Sequence, residues 1–319
     1  MSNRVKVCIF IVLICANAGL GAEEPNQLET VWLFSYFKGN GEDGLHLAYS
    51  TDGMVWRPLK NDESFLRPQV AGKLMRDPSI CRGPDGLFHM VWTTGWWDKG
   101  IGLAHSKDLM QWSRQEFLGV MEQEPAAKNC WAPEIFFDES TQTYLIFWAT
   151  TVPGRFPQTD NPRDDNNHRI YYITTKDFKT YTDTALFYDP GFNVIDAFIA
   201  NAGQRYVMFF KNETKHPKTE KNIRMAFADR ASGPYGPPSE PITGKYWAEG
   251  PAAVKIGSRW IVYFDKYTER RYGAVVSEDL VNWQDISGQV EFPGGARHGT
   301  VFPVSRDVAE KLLKTGTER

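Results

Sequence analysis

Ser106-Lys107-Asp108-Leu109-Met110-Gln111-Trp112 is the stretch on which the fold turns, because its hydroxyl, acid and indole recur in phase along the chain. Ser50-x-Asp52-x-x-x-Trp56 precedes it and Ser277-x-Asp279-x-x-x-Trp283 follows. Thr175-x-Asp177-x-x-x-Tyr181 keeps the hydroxyl and the acid and trades the indole for a phenol. Ala228-Asp229-Arg230-Ala231-Ser232-Gly233-Pro234-Tyr235 is a looser fifth copy. The aromatic positions 56, 112, 181, 235 and 283 are separated by 56, 69, 54 and 48 residues. A repeat of this size made of short strands implies a radial or stacked β architecture.

The phrase has a physical reading. A strand ends at the Ser or Thr, and the Asp two residues on bonds nearby backbone donors and sets a tight turn. The Trp or Tyr beyond it is large enough to fill the gap between neighbouring sheets. Between the copies lie short apolar runs such as Leu87–Trp92, Tyr144–Trp148, Arg205–Phe210 and Trp260–Phe264, bounded by clusters such as Gly83-Pro84-Asp85-Gly86. Only the tail Asp307 to Lys314 has a helical period. Four strands per repeat make a blade, and five repeats predict an all-β, five-bladed β-propeller. The first copy lacks an inner strand of its own, and Arg297 to Val304 is a strand with no blade after it. The ring is therefore predicted to close by pairing the N- and C-terminal strands, which removes open sheet edges.

Of 319 residues, 42% are hydrophobic and 14% aromatic, enough for a large core, and no linker divides the chain. The formal charge of −3 gives no reason to expect nucleic acid or an anionic membrane as a partner. Arg4 and Lys6, the apolar run Val7 to Ala16, and the small residues around Ala18 and Ala22 read as a signal peptide over 1–22. Export to the periplasm or the extracellular space is expected, with a single catalytic domain over 23–319 and no membrane span. Cys81 and Cys130 remain beyond the leader; packing as small hydrophobes is favoured over a bridge.

A second series keeps the same period. Arg76-Asp77-Pro78-Ser79, Trp131-Ala132-Pro133-Glu134, Ile195-Asp196-Ala197, Glu249-Gly250-Pro251 and Arg297-His298-Gly299 each open an inner strand. Asp77, Glu134, Asp196, Glu249 and His298 are thus expected at equivalent places in their blades, at the mouth of the central channel. One such acid alone would read as a turn former. Several in phase crowd like charges at a cost in free energy, which points to chemistry. Two carboxylates flanking a bond, with a third beside the acid, suit glycoside hydrolysis.

In this order and spacing, Asp77-Pro78-Ser79-Ile80, Trp131-Ala132-Pro133-Glu134-Ile135, Ile195-Asp196 and Glu249-Gly250-Pro251 resemble glycoside hydrolase family 43, from about Leu74 to Val304. The resemblance implies an inverting enzyme acting on arabinofuranosides, xylosides or related terminal sugars of oligosaccharides or polysaccharides, without an organic cofactor. It implies Asp77 as general base, Glu249 as general acid and Asp196 as the group that orients and tunes the acid. It places Trp131 and Glu134 in the terminal-sugar subsite, with Arg297 also at the substrate. His298 would lie near the channel axis, where some members hold a structural calcium ion through water. Ala197 stands where the family usually has Pro, and Glu134 where Asp is commoner. An inverting pair should stand roughly 6.5–9.5 Å apart.

Outside the motifs, Trp96-Trp97 is suited either to stacking on a sugar, with Trp97 the substrate-binding candidate, or to packing between blades. The polar segment from Pro153 to His168 is long enough to wall a cleft. Lys211 ends a strand and either faces the cleft or begins a charged surface loop, and Asp43 reads as a hairpin turn. Two other functions compete: a non-catalytic carbohydrate-binding propeller, against which the complete acid set argues, and a related five-bladed enzyme such as a glycoside phosphorylase, which needs a basic phosphate pocket beside the acid.

Overall fold

The Ser-x-Asp phrase folds in the same way at each of its four close copies. In the computed structural model, which describes residues 30–315, Ser106 Oγ accepts the Leu109 N–H at 2.8 Å, and Asp108 Oδ1 accepts those of Met110 and Gln111 at 2.9 and 2.8 Å. Ser50/Asp52, Thr175/Asp177 and Ser277/Asp279 repeat the arrangement. The residue immediately after the acid takes a positive φ in all four: Gly53, Leu109, Phe178 and Leu280. The acid satisfies donors that the tight turn would otherwise strand.

These turns link strands into five antiparallel sheets. Blade one contains β1 (Thr30–Tyr36), β2 (His46–Ser50) and β3 (Arg57–Pro58). Blade two is β4 (Arg76–Arg82), β5 (Phe88–Thr93), β6 (Ile101–Ser106) and β7 (Glu116–Leu118). Blade three is β8 (Trp131–Asp138), β9 (Thr143–Thr151), β10 (His168–Thr175) and β11 (Ala185–Tyr188). Blade four is β12 (Val194–Asn201), β13 (Tyr206–Asn212) and β14 (Asn222–Ala228). Blade five is β15 (Glu249–Ile256), β16 (Arg259–Lys266), β17 (Arg271–Ser277) and β18 (Gln284–Asp285). Blade four stops at three strands for a chemical reason. Gly236, Ser239 and Ile242 donate to the carbonyls of β14, but Pro237 and Pro238 between them have no N–H, so no ladder forms.

The ring closes as the sequence predicts. β19 (Val301–Ser305) pairs antiparallel with β1, from Thr30 opposite Ser305 to Phe34 opposite Val301, and becomes the innermost strand of blade one. Arg297 joins it through an isolated bridge to Phe37. The expected strand is interrupted at Gly299, where the backbones press together: a Cβ there would stand 1.6 Å from the Ser35 carbonyl oxygen. The tail forms α1 (Arg306–Lys314), which buries Ala309 and Leu312 against blade one.

The core lies between blades. Trp56 packs its ring 5.5 Å from Tyr263 of blade five, Trp283 packs 6.1 Å from Phe209 of blade four, and Tyr235 packs 5.7 Å from Phe187 of blade three. The repeated aromatic is thus the filler between sheets that the sequence suggests. Burying one such side chain contributes roughly 1.5–3 kcal/mol. The leader expected over 1–22 lies outside the described residues. Among the described residues no helix is long and apolar enough to cross a membrane. Cys81 and Cys130 are free thiols, both pushed up by burial.

Candidate active site

One device at the inner strands aims the acids. In β4, Arg76 pairs with Thr93 and Ser79 with Val91, so two residues oppose one. The same slip occurs between Trp131 and Glu134, between Ile195 and Phe198, and between Glu249 and Ala252. Inside each bulge one residue has a positive φ: Asp77 at 52°, Ala132 at 45°, Asp196 at 55° and Gly250 at 59°. A bulge bends its strand and turns a side chain that would lie in the sheet toward the channel. Proline at 78, 133 and 251 fits, because the bulged residue has no ladder bond to donate.

The register corrects one expectation. Asp77, Ala132, Asp196 and Gly250 are the true equivalents, and the Arg297–Phe37 bridge brings His298 into the same layer. Glu249 stands one residue before that layer and Glu134 two residues after it. Sequence spacing alone cannot see a shift this small, because loop lengths vary by more.

Glu134 is therefore deep. It is buried, and its two oxygens accept the Ser79 and Thr300 hydroxyls, both at 2.6 Å. Ser79 and Thr300 occupy the Glu134 position in blades two and one, so the three residues tie blades around the channel axis. Glu134 does not line the cavity that holds the other acids. The structure places it beneath the expected terminal-sugar subsite instead of in it. Burial raises Glu134 to about 7, against its two hydroxyl donors.

Above it is a 260 Å³ cavity lined by Asp77, Asp196, Glu249, Arg297, His298, Trp131 and Trp96, with Lys211, Glu213, Arg76 and Tyr267. Asp77 Oδ2 accepts the Thr93 hydroxyl at 2.8 Å, and Thr93 Oγ1 in turn accepts the Ala132 N–H at 2.8 Å. Asp77 Oδ1 lies 3.3 Å from His298 Nδ1, and Asp196 Oδ1 lies 3.9 Å from the same atom. Burial alone would lift Asp77, but the His298 hydrogen bond and charge prevail, with help from Arg76 and Thr93, and hold it at about 2. Burial alone would lower His298, but Asp196, Asp77 and Glu134 carry it to about 9. His298 is thus an imidazolium at neutral pH, wedged between two carboxylates.

A cation bound directly at the ring would need the imidazole neutral, because a protonated one has no lone pair to offer. Among the described residues no group of three or more His, Cys, Asp or Glu side chains is arranged to hold a metal.

Asp196 Oδ2 accepts the Gly250 N–H at 3.0 Å, which pins it beside Glu249. Burial raises Asp196 to about 6 against the His298 and Lys211 charges, with Glu249 and Asp77 adding to the rise. Glu249 accepts from two cations: Lys211 Nζ at 2.9 Å on one oxygen and Arg297 on the other at 3.0 Å. Each cation has a second acid. Lys211 reaches Glu213 at 2.7 Å, and Arg297 Nε donates to Asp265 at 2.6 Å. Lys211 is buried and lies 4.7 Å from the Tyr267 ring centre, so of its two readings the structure supports the cleft. Asp43 turns to His46 at 2.9 Å and stays out of the cavity.

The aromatic pair divides its work. Trp96 lines the cavity, stacks under Arg76 at 4.3 Å and accepts the Trp131 indole N–H on its carbonyl at 2.8 Å. Trp97 is 62% exposed and sits at the rim, its ring 6.1 Å from that of Trp131. Arg76, Glu213, Tyr267 and Asp265 were not singled out from the sequence. Their one signal was position, at or beside strand ends that face the channel mouth.

Known proteins resemble this chain in family and in fold. Residues 29–310 match a family model described as a probable glycosyl hydrolase domain, of the group related to glycoside hydrolase family 43. An alpha-L-arabinofuranosidase from Bifidobacterium longum subsp. longum is 24% identical over 243 residues, which are 64% of this chain and 23% of that protein. The chain thus spans about a quarter of the length of that curated relative. Among solved structures, a thermostable family-43 glycoside hydrolase superposes with a TM-score of 0.56 at 16% identity, covering 76% of this chain and 83% of the other. An alpha-L-arabinofuranosidase from Lactobacillus brevis gives 0.55 at 17%, covering 66% and 72%. At such identities the superpositions speak for the fold alone. The family model, spanning nearly all the described residues, shows that this chain belongs to the glycosyl hydrolase domains related to family 43.

Proposed function

We propose that the protein is an exported, exo-acting glycoside hydrolase that inverts configuration, with terminal arabinofuranosides, xylosides or related sugars as substrates. The observation that carries this is the convergence of Asp77, Asp196 and Glu249, from three blades, on one cavity walled by Trp96 and Trp131. The charged and apolar leader over 1–22 supports export.

In this reading a water attacks the anomeric carbon and its proton passes to Asp77. The bond to the leaving oxygen breaks, and that oxygen takes the proton of Glu249. Asp77, held at about 2, is ionised throughout the working range, and Thr93 and His298 fix its direction. Lys211 and Arg297 each have a second acid, Glu213 and Asp265, to balance them while Glu249 carries its proton. Asp196, pinned beside the acid by the Gly250 N–H and raised to about 6, adds negative charge there as pH rises through that value. A phosphorylase would need free positive charge here. Lys211 and Arg297, the two cations bonded to Glu249, are already matched by carboxylates, which favours water as the acceptor there.

The test is a panel of nitrophenyl arabinofuranosides, xylosides and galactosides with the wild type, Asp77→Asn and Glu249→Gln. Either substitution should lower kcat by about 10²–10⁴-fold, the usual contribution of one acid or base. Glu249→Gln should lose less on nitrophenyl substrates, whose leaving group needs little protonation, than on oligosaccharides. NMR of the first-formed product should show the inverted anomer. A retained anomer would sink the inverting mechanism. Binding without turnover in the wild type would favour the carbohydrate-binding propeller.

A further inference from the structure

The channel continues beyond Glu134. Below the layer in which Ser79 and Thr300 hold that carboxyl lies a second cavity, of 480 Å³ against 260 Å³ for the catalytic one. The two share no lining residue, and Glu134 and Thr300 line only the lower one.

Its walls follow from the period of a strand. Side chains two residues apart share a face. The layer after Ser79, Glu134 and Thr300 is therefore Cys81, Phe136 and Phe302, and blades four and five add Ala200 and Val254. All five line the cavity, one from each inner strand. The polar layer thus gives way to an apolar shaft. Its inner end has no hydroxyl hydrogen to spare, because Ser79 and Thr300 both donate theirs to Glu134. A sugar seated there would bury its hydroxyls against Phe136, Val254 and Phe302 without partners, which is costly. The shaft suits an apolar body instead, and its volume falls in the range of about 300–1,000 Å³ that encloses small molecules. Phe136, Phe302 and Trp260 offer faces and edges on which an aromatic ring packs better than a flexible chain.

The mouth carries charge. The inner strands begin at the catalytic acids and end near Arg82, Glu139, Asn201 and Lys255, so the shaft opens on the opposite face of the propeller. Arg82 and Lys255 are exposed, and each lies beside a ring: Arg82 5.5 Å from the centre of Phe88, Lys255 5.8 Å from that of Trp260. Neither has an ion-pair partner among the described residues. Glu139 is the one acid lining the mouth, so positive charge is in excess there. That excess attracts an anion. An anionic group pushed inward would meet the Glu134 carboxyl, so the charged end of a ligand stays at the mouth and its apolar end goes in.

We propose that this shaft is a second ligand site, for a small aromatic carboxylate, on the face opposite the catalytic cavity. None of the catalytic acids takes part in it, so it stands apart from the hydrolase reading.

The experiment is a calorimetric titration of the protein with 2-naphthoate, its neutral analogue 2-naphthamide, and octanoate. The naphthoate should bind one to one with a dissociation constant on the order of 10–100 µM, as the efficiency of small ligands allows. The amide should bind about fivefold more weakly, the effect of losing two exposed charge contacts. Octanoate should bind more weakly than the naphthoate. Ala200→Leu, which fills the shaft, should weaken the naphthoate about tenfold or more, as overpacking does. The double variant Arg82→Gln, Lys255→Gln changes only exposed side chains; it should bind acid and amide alike. Thermal melts of both variants check that the fold is kept. Absent binding, or binding that neither variant changes, overturns the site. Acid and amide bound equally by the wild type overturn the anionic ligand, and octanoate bound more tightly than the naphthoate overturns the aromatic one.

Discussion

At the scale of the residue, His298 decides the charge state of the site. It sits between Asp77 and Asp196 and is raised to about 9. A raised histidine contributes stability that is full below its unfolded value near 6.5 and is lost as pH rises through 9. Asp77 runs the other way: its contribution is full above the unfolded value near 4 and is lost as pH falls through about 2. The pair is therefore intact between roughly pH 4 and 6.5 and still largely formed at 8. An NMR titration of the His298 ring should give a midpoint near 9 in the wild type. In Asp77→Asn it should fall, since one of the two nearest negative charges is gone. A midpoint that stays near 9 would show that Asp77 is not the partner. The sequence marked Asp77, His298 and Arg297 as site residues by their place in the repeat. It carried no sign that His298 is a cation, because that depends on which carboxylates the ring meets across the channel.

At the scale of the element, the bulge does the aiming. Four inner strands slip by one residue and hold their turning residue at positive φ. Asp77 and Asp196 accept this strained conformation, whose cost is of order 1–3 kcal/mol each. At Gly250 the constraint is also steric: a Cβ would meet the His298 ring at 2.4 Å. Gly250→Ala should destabilise by about 1–3 kcal/mol, as overpacking does, and should shift the His298 ring. Urea unfolding followed by fluorescence measures the first effect; a cost under a few tenths of a kcal/mol would show that the contact is not tight. Prolines in the motifs hinted at irregular strand starts. The bulge itself was not legible, since the ladder that slips belongs to a partner strand. The same blindness put Glu134 at the cavity mouth, where the register puts it two residues deeper.

At the scale of the molecule, the channel axis is a stability device as well as a frame. Glu134 joins blades one, two and three through Ser79 and Thr300, and burial raises it to about 7. A raised carboxyl stabilises fully below its unfolded value near 4.5, and that contribution disappears as pH climbs through 7. Glu134→Gln keeps the shape without the charge. Its melting temperature relative to the wild type should therefore rise between pH 5 and pH 8 in a thermal melt series. A difference constant across that range would show that Glu134 does not ionise in the folded protein. The propeller, its five repeats and its closure by the chain ends were all legible in the sequence. Each rests on local signals, an Asp-capped turn and an apolar run, that recur with a period wide enough to survive variable loops. So were the three acids that meet in the cavity, because they start inner strands. The tertiary structure alone decided which way each side chain points and which cations hold Glu249. Those depend on one-residue register and on contacts between blades, and a chain read in order contains neither.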